Sequence, residues 1–144
     1  MTRPPLPGIF LILAGILLAL VPHILLPVCE GVVATASGGN VPMKCFWTAK
    51  AELGTGALTA FAGLLYCLSR NPGVRFGIAV MTAATGMLGM AFPTLLIGVC
   101  PSETMPCRMG TLPALVLINA AIVITALLAC LSNRRAMSRE GGRP

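Results

Sequence analysis

LPALVLINAAIVITALLACL, Leu112 to Leu131, is a run of twenty residues without a charge. As a helix it rises about 30 Å, the thickness of a bilayer's hydrocarbon core. In lipid a lone segment satisfies its own backbone polar groups only as a helix. Working outward from this run, three further stretches meet the same description: Leu6 to Val28, Ala51 to Leu68 and Val74 to Val99. The composition agrees, at 56% hydrophobic and only 10% charged with a mean hydropathy of +0.90, whereas a soluble globule carries roughly a quarter charged residues. The expected fold class is all-α, an integral membrane four-helix bundle in a single domain over 1–144.

The charges orient the spans. Arg3, Arg70, Arg75, Arg134, Arg135, Arg139 and Arg143, with Glu140, fall before the first span, between the second and third, or after the fourth. The other two loops set Lys44, Lys50 and Arg108 against Glu30, Glu52 and Glu103 and sum to zero. The positive-inside rule then places both termini in the cytoplasm and both cysteine-bearing loops outside. Trp47, beside Phe46, fits an aromatic anchor at the outer interface. Residues 133–144 read as a disordered basic tail touching anionic lipid. The start, from Arg3 through an apolar run to Ala34-Thr35-Ala36, has the outline of a signal peptide. The run is too long for one, and cleavage would remove Cys29, so the segment is expected to stay. The net charge of +6 on so apolar a chain reads as topology, with no nucleic-acid partner. Aspartate is absent, His23 is the single histidine, and no phosphate loop or nucleophile elbow appears, which removes most hydrolase and nucleotide-dependent chemistry.

The chain repeats itself. Pro22-His23-Ile24-Leu25-Leu26-Pro27-Val28-Cys29 aligns without gaps on Pro93-Thr94-Leu95-Leu96-Ile97-Gly98-Val99-Cys100, and Met43-Lys44-Cys45 on Met105-Pro106-Cys107. Each half, about 6–69 and 74–132, is a helical hairpin whose first helix ends at Val-Cys and whose second follows Met-x-Cys. The bundle is therefore expected to be two tandem hairpins about a pseudo-twofold axis along the membrane normal. Pro22 and Pro93 are expected to kink their helices at matched positions.

Four cysteines, Cys29, Cys45, Cys100 and Cys107, fall on the oxidising side, and four allow three pairings. Cys29 with Cys45 and Cys100 with Cys107 is the favoured set, because each bridge staples the ends of one hairpin. Cys67 and Cys130 lie near the cytoplasmic ends and should stay reduced. Two other chemistries remain open at the outer loops. Lys44 and Arg108 beside cysteines favour thiolates and thus exchange, and the sulfur donors around Met43, Met105 and Met109, with His23, would suit Cu(I). No closed ligand set exists, so neither a metal nor another cofactor is expected.

Within the spans, His23 is expected to bond across helices, Glu52 to sit near the interface with Lys44 or Lys50, and Asn119 to make an interhelical hydrogen bond. Gly56, Ala60 and Gly63, with Ala83, Gly86 and Gly89, form small faces, read as interface for docking on another membrane protein.

Met43-Lys44-Cys45-Phe46-Trp47-Thr48-Ala49-Lys50-Ala51-Glu52, with Met105-Pro106-Cys107-Arg108, resembles a bacterial family of small four-span membrane proteins labelled only as a domain of unknown function. The resemblance covers nearly the whole chain and supplies no catalytic residue. It implies company with ABC transporter components. Phe46 stands where many relatives are expected to carry histidine, which weakens a metal role there. The expected function is a non-enzymatic accessory or assembly subunit of a larger membrane complex in the inner (plasma) membrane. Its partners would be the bilayer, another integral membrane protein and, as an option, further copies of itself. The alternative is a thiol-disulfide oxidoreductase or copper-handling protein using the outer loops.

Overall fold

The computed structural model describes residues 6–26, 28, 31–34, 38–98 and 107–141. Among them are four long helices: α1 (Leu6–Leu20), α2 (Lys44–Leu68), α3 (Pro72–Ala91) and α4 (Leu112–Gly141). With the π-helical turns that extend three of them, all four are long and apolar enough to cross a membrane. α1 packs along α2 and α3 along α4. The two hairpins meet where α2 touches α3 and α4 touches α1, which leaves α2 and α4 facing each other across the interior.

The hairpin halves are visible as matched geometry. The polypeptide widens into a π-helical turn at Val21–Leu25 and again at Phe92–Leu96, each with its proline second and that proline buried. A proline has no amide to offer the carbonyl four residues back and crowds it, so the helix opens at that point. Both turns close alike: Leu26 N–H donates to Val21 O at 2.8 Å, and Ile97 N–H to Phe92 O at 3.0 Å. Even the non-identical pair behaves alike, His23 Nδ1 lying 3.2 Å from Ala19 O and Thr94 Oγ1 donating to Met90 O at 2.7 Å, each four residues back.

The sequence-based boundaries shift in three places. α2 begins at Lys44, a full seven residues before Ala51, so Cys45, Trp47 and Lys50 are helical. α4 continues to Gly141, so the segment expected to be a disordered tail is helical over most of its length. Asn133 anchors the start of that segment: it is buried, and its amide donates to Tyr66 Oη at 2.9 Å. The connection from α1 to α2 also contains a short antiparallel hairpin, β1 (Val32–Ala34) with β2 (Asn40–Pro42), Val33 opposite Val41. That is an addition to an otherwise all-α chain. Gly38, at φ +80°, sits in its connection, where only glycine is unstrained.

α3 starts where sequence rules place it. Asn71 is extended, its side chain accepts from Gly73 N–H at 2.8 Å, and Pro72 occupies the first helical position. The α1–α2 interface is built on glycine. A Cβ on Gly15 would lie 2.6 Å from Gly56 O, one on Gly56 2.6 Å from Gly15 O, and one on Gly63 2.8 Å from Gly8 O. Backbones this close are what small residues permit.

Candidate functional site

The buried positions of α2 include Cys45, Glu52, Thr59 and Tyr66, and those of α4 Leu115, Asn119, Ile122, Ala126, Ala129 and Asn133. Intervals of seven, and of alternating four and three, are the spacing of helices that coil around one another. Side chains from these two faces meet at two levels of the interior. Asn119 Nδ2 approaches Glu52 Oε2 at 3.4 Å, and Asn133 Nδ2 donates to Tyr66 Oη at 2.9 Å. The levels are fourteen residues apart on both helices, about 21 Å. Between them Thr55 Oγ1 donates to Glu52 Oε2 at 3.1 Å and Thr59 Oγ1 to Thr55 O at 2.8 Å. A polar column thus runs between the hairpins, and at its lower end Arg75 lies over the Tyr66 ring, 5.2 Å from its centroid.

Glu52 is the unexpected member. It was expected near the interface with Lys44 or Lys50, yet it is completely buried while both lysines are exposed. The early start of α2 explains this: Glu52 falls in its third turn on the inward face, and Lys50 turns outward to lie over Phe46, 5.4 Å from the ring centroid. Asn119, equally buried, makes the interhelical contact expected of it and also donates to Leu115 O at 3.0 Å. One oxygen on each, Glu52 Oε1 and Asn119 Oδ1, has no hydrogen-bond partner. The signal that would have found the pair was the shared fourteen-residue interval, Glu52 to Tyr66 and Asn119 to Asn133.

At the end of the bundle where α2 begins, Cys45 and Cys107 are both buried and share one cluster, with Val28 and Met43 packed against it. These are the repeat-equivalent cysteines, so the two halves meet here. The expected bridges to Cys29 and Cys100 fall on residues outside those described. Among the described residues no two sulfurs stand at disulfide distance. Cys45 and Cys107 pack together because the first turn of α2 and the turn before α4 both face inward, hairpin to hairpin. The turn ends are tied across as well, Thr48 Oγ1 donating to Gly98 O at 2.9 Å and Thr111 Oγ1 to Leu26 O at 3.2 Å.

The other sequence-based candidates scatter. His23 is exposed and its ring nitrogen contacts its own helix, not a neighbouring one. Met109 is 72% exposed, away from the buried thiols that Met43 touches, and Met105 lies outside the described residues. No group of three His, Cys, Asp or Glu side chains able to hold a metal occurs among the described residues. Gly56, Ala60 and Gly63 face α1, and Gly86 and Gly89 face α4, where a Cβ on Gly86 would lie 2.8 Å from Val123 and one on Gly89 would strike the Asn119 amide. Ala83 is buried on the same face of α3. These small faces are used within the chain, which removes them as the argument for an external partner.

A family described as a domain of unknown function (DUF4418) matches residues 11–132. The chain belongs to that family. No curated protein and no solved structure matches it. The matched segment takes in most of both hairpins, the polar column except its last residue, Asn133, and both Cys45 and Cys107.

Proposed function

We propose that this member of the DUF4418 family sits in the inner (plasma) membrane with both termini cytoplasmic, as a non-enzymatic accessory or assembly subunit of a larger membrane complex, an ABC-type transporter being the first candidate. Four helices of sufficient length and apolarity account for most of the chain and leave little mass outside them for chemistry. The observation that carries the reading is a cleft between α2 and α3. It has a volume of about 380 Å³, is almost wholly apolar, and opens on the bundle's outer surface among Leu58, Phe61, Ala62, Gly77 and Met81. A cleft with Ala62 on one wall and Gly77 on the other lets a partner's helix bring its backbone close, which is how helices associate in lipid.

The test is Gly77→Leu. A Cβ on Gly77 meets nothing within 4 Å, so the substitution fills the cleft and leaves the bundle's own contacts alone. The expected result is a protein that melts as the wild type does in detergent but no longer co-purifies with its membrane partner. Undiminished co-purification with the cleft filled would overturn the reading.

A further inference from the structure

Among the described residues Glu52 has no positive charge to answer it. α1 contains no ionisable residue, and on α3 the only one is Arg75, fourteen residues before Gly89 and stacked on Tyr66. From Leu112 to Asn133, α4 offers only Cys130. On α2, the ionisable groups on the inward face are Cys45 and Tyr66, while Lys44 and Lys50 are exposed. The turns packed above contribute His23 and Arg108, both exposed, and Cys107. An ionised carboxylate buried without compensation in a low-dielectric interior is strongly disfavoured. The orphaned atoms tell the same story from the hydrogen-bond side. Glu52 Oε1 and Asn119 Oδ1 are both acceptors, both fully enclosed, and both without a donor. Buried polar groups are otherwise nearly always satisfied, so two such acceptors on one contacting pair call for a shared donor or cation, and the uncompensated carboxyl favours one that brings a positive charge. Gly89 is part of the arrangement, since any Cβ there would displace Asn119 Oδ1.

We propose that the Glu52 carboxyl and the Asn119 side-chain carbonyl together hold one monovalent cation taken from solution, a proton or an alkali-metal ion, about two turns in from the start of α2. The two are alternative sources of the same single positive charge. Either one bridges two acceptors that nothing in the chain can bridge. The inference does not depend on any partner subunit, and it gives the polar column between the hairpins a bound species.

Infrared spectroscopy of the full chain in phosphatidylcholine and phosphatidylglycerol vesicles tests it. pH is scanned with sodium replaced by N-methylglucamine, then sodium is scanned at fixed pH, with Glu52→Gln and Asn119→Leu beside the wild type. A protonated-carboxyl band that Glu52→Gln lacks and Asn119→Leu shifts assigns the proton. A carboxylate band that moves with sodium, and is again lost in Glu52→Gln and altered in Asn119→Leu, assigns the alkali ion. A carboxylate band in the wild type indifferent to pH and sodium overturns the proposal, and so does any Glu52 band that ignores Asn119→Leu. Should Glu52→Gln fail to fold, a variant with Glu30, Glu103 and Glu140 each changed to glutamine leaves Glu52 as the sole side-chain carboxyl and gives the same reading.

Discussion

At the scale of single residues, the absence of a side chain does as much as any side chain present. Gly15 and Gly56 lie so close that either Cβ would meet the other residue's carbonyl oxygen at 2.6 Å. Gly56→Leu must therefore push α1 away from α2, and overpacking of this kind costs about 1–3 kcal/mol or more. We expect a clear fall in melting temperature in detergent. Gly54→Leu, two residues earlier where a Cβ meets nothing within 4 Å, should melt with the wild type. Polar contacts are weaker levers: Tyr66→Phe removes the acceptor of Asn133 and should cost about 1 kcal/mol, measured by unfolding in mixed micelles. The residue the sequence misplaces is Glu52. Its neighbours Lys44 and Lys50 give a stretch that reads as interfacial, and hydropathy averages over a helix's faces. Only the facing register with Asn119 reveals that one face turns inward.

At the scale of elements, the matched pair of turns was legible because the match is written in letters: Pro22 to Cys29 against Pro93 to Cys100. The widened turns were half legible. A kink follows from each proline, but its form as a π-helical turn depends on which carbonyls the next amides reach. The start of α2 was not legible, since Lys44, Trp47 and Lys50 lower the hydropathy of a helical turn without preventing it. The elements are joined across the axis by Thr48 to Gly98 O and Thr111 to Leu26 O. Thr48→Val and Thr111→Val should each lower stability by about 1 kcal/mol. The double variant should lose roughly the sum, because the two bonds involve different helices and share no partner. A double-variant loss no larger than either single one would show that the two ends act as a unit.

At the scale of the whole molecule, α4 is long for its task. Thirty residues rise about 45 Å, against a hydrocarbon core of about 30 Å. On the proposed topology, the exposed Arg134, Arg135 and Arg139 then stand at the cytoplasmic headgroups beside Arg70. A cysteine introduced at Ser138 should be shielded from an impermeant maleimide in intact cells, and one at Asn40, on β2, should react. The reverse pattern would invert the topology. The outline of four helices was readable from hydropathy, because being long and apolar enough to cross a bilayer constrains length more than it constrains detail. The polar column was not, because it depends on how two hairpins face each other.

The crossed threonine bonds also bear on biosynthesis. A ribosome delivers α1 and α2 before α3 exists, so Thr48 emerges with its acceptor, Gly98 O, still unmade. The Leu26 carbonyl likewise waits for Thr111. The first hairpin is thus a half-finished object, held by its own glycine contacts, and the second completes it. Two polypeptides divided between Arg70 and Asn71 and produced in the same cell should find one another and rebuild the assembly, while either alone should be degraded.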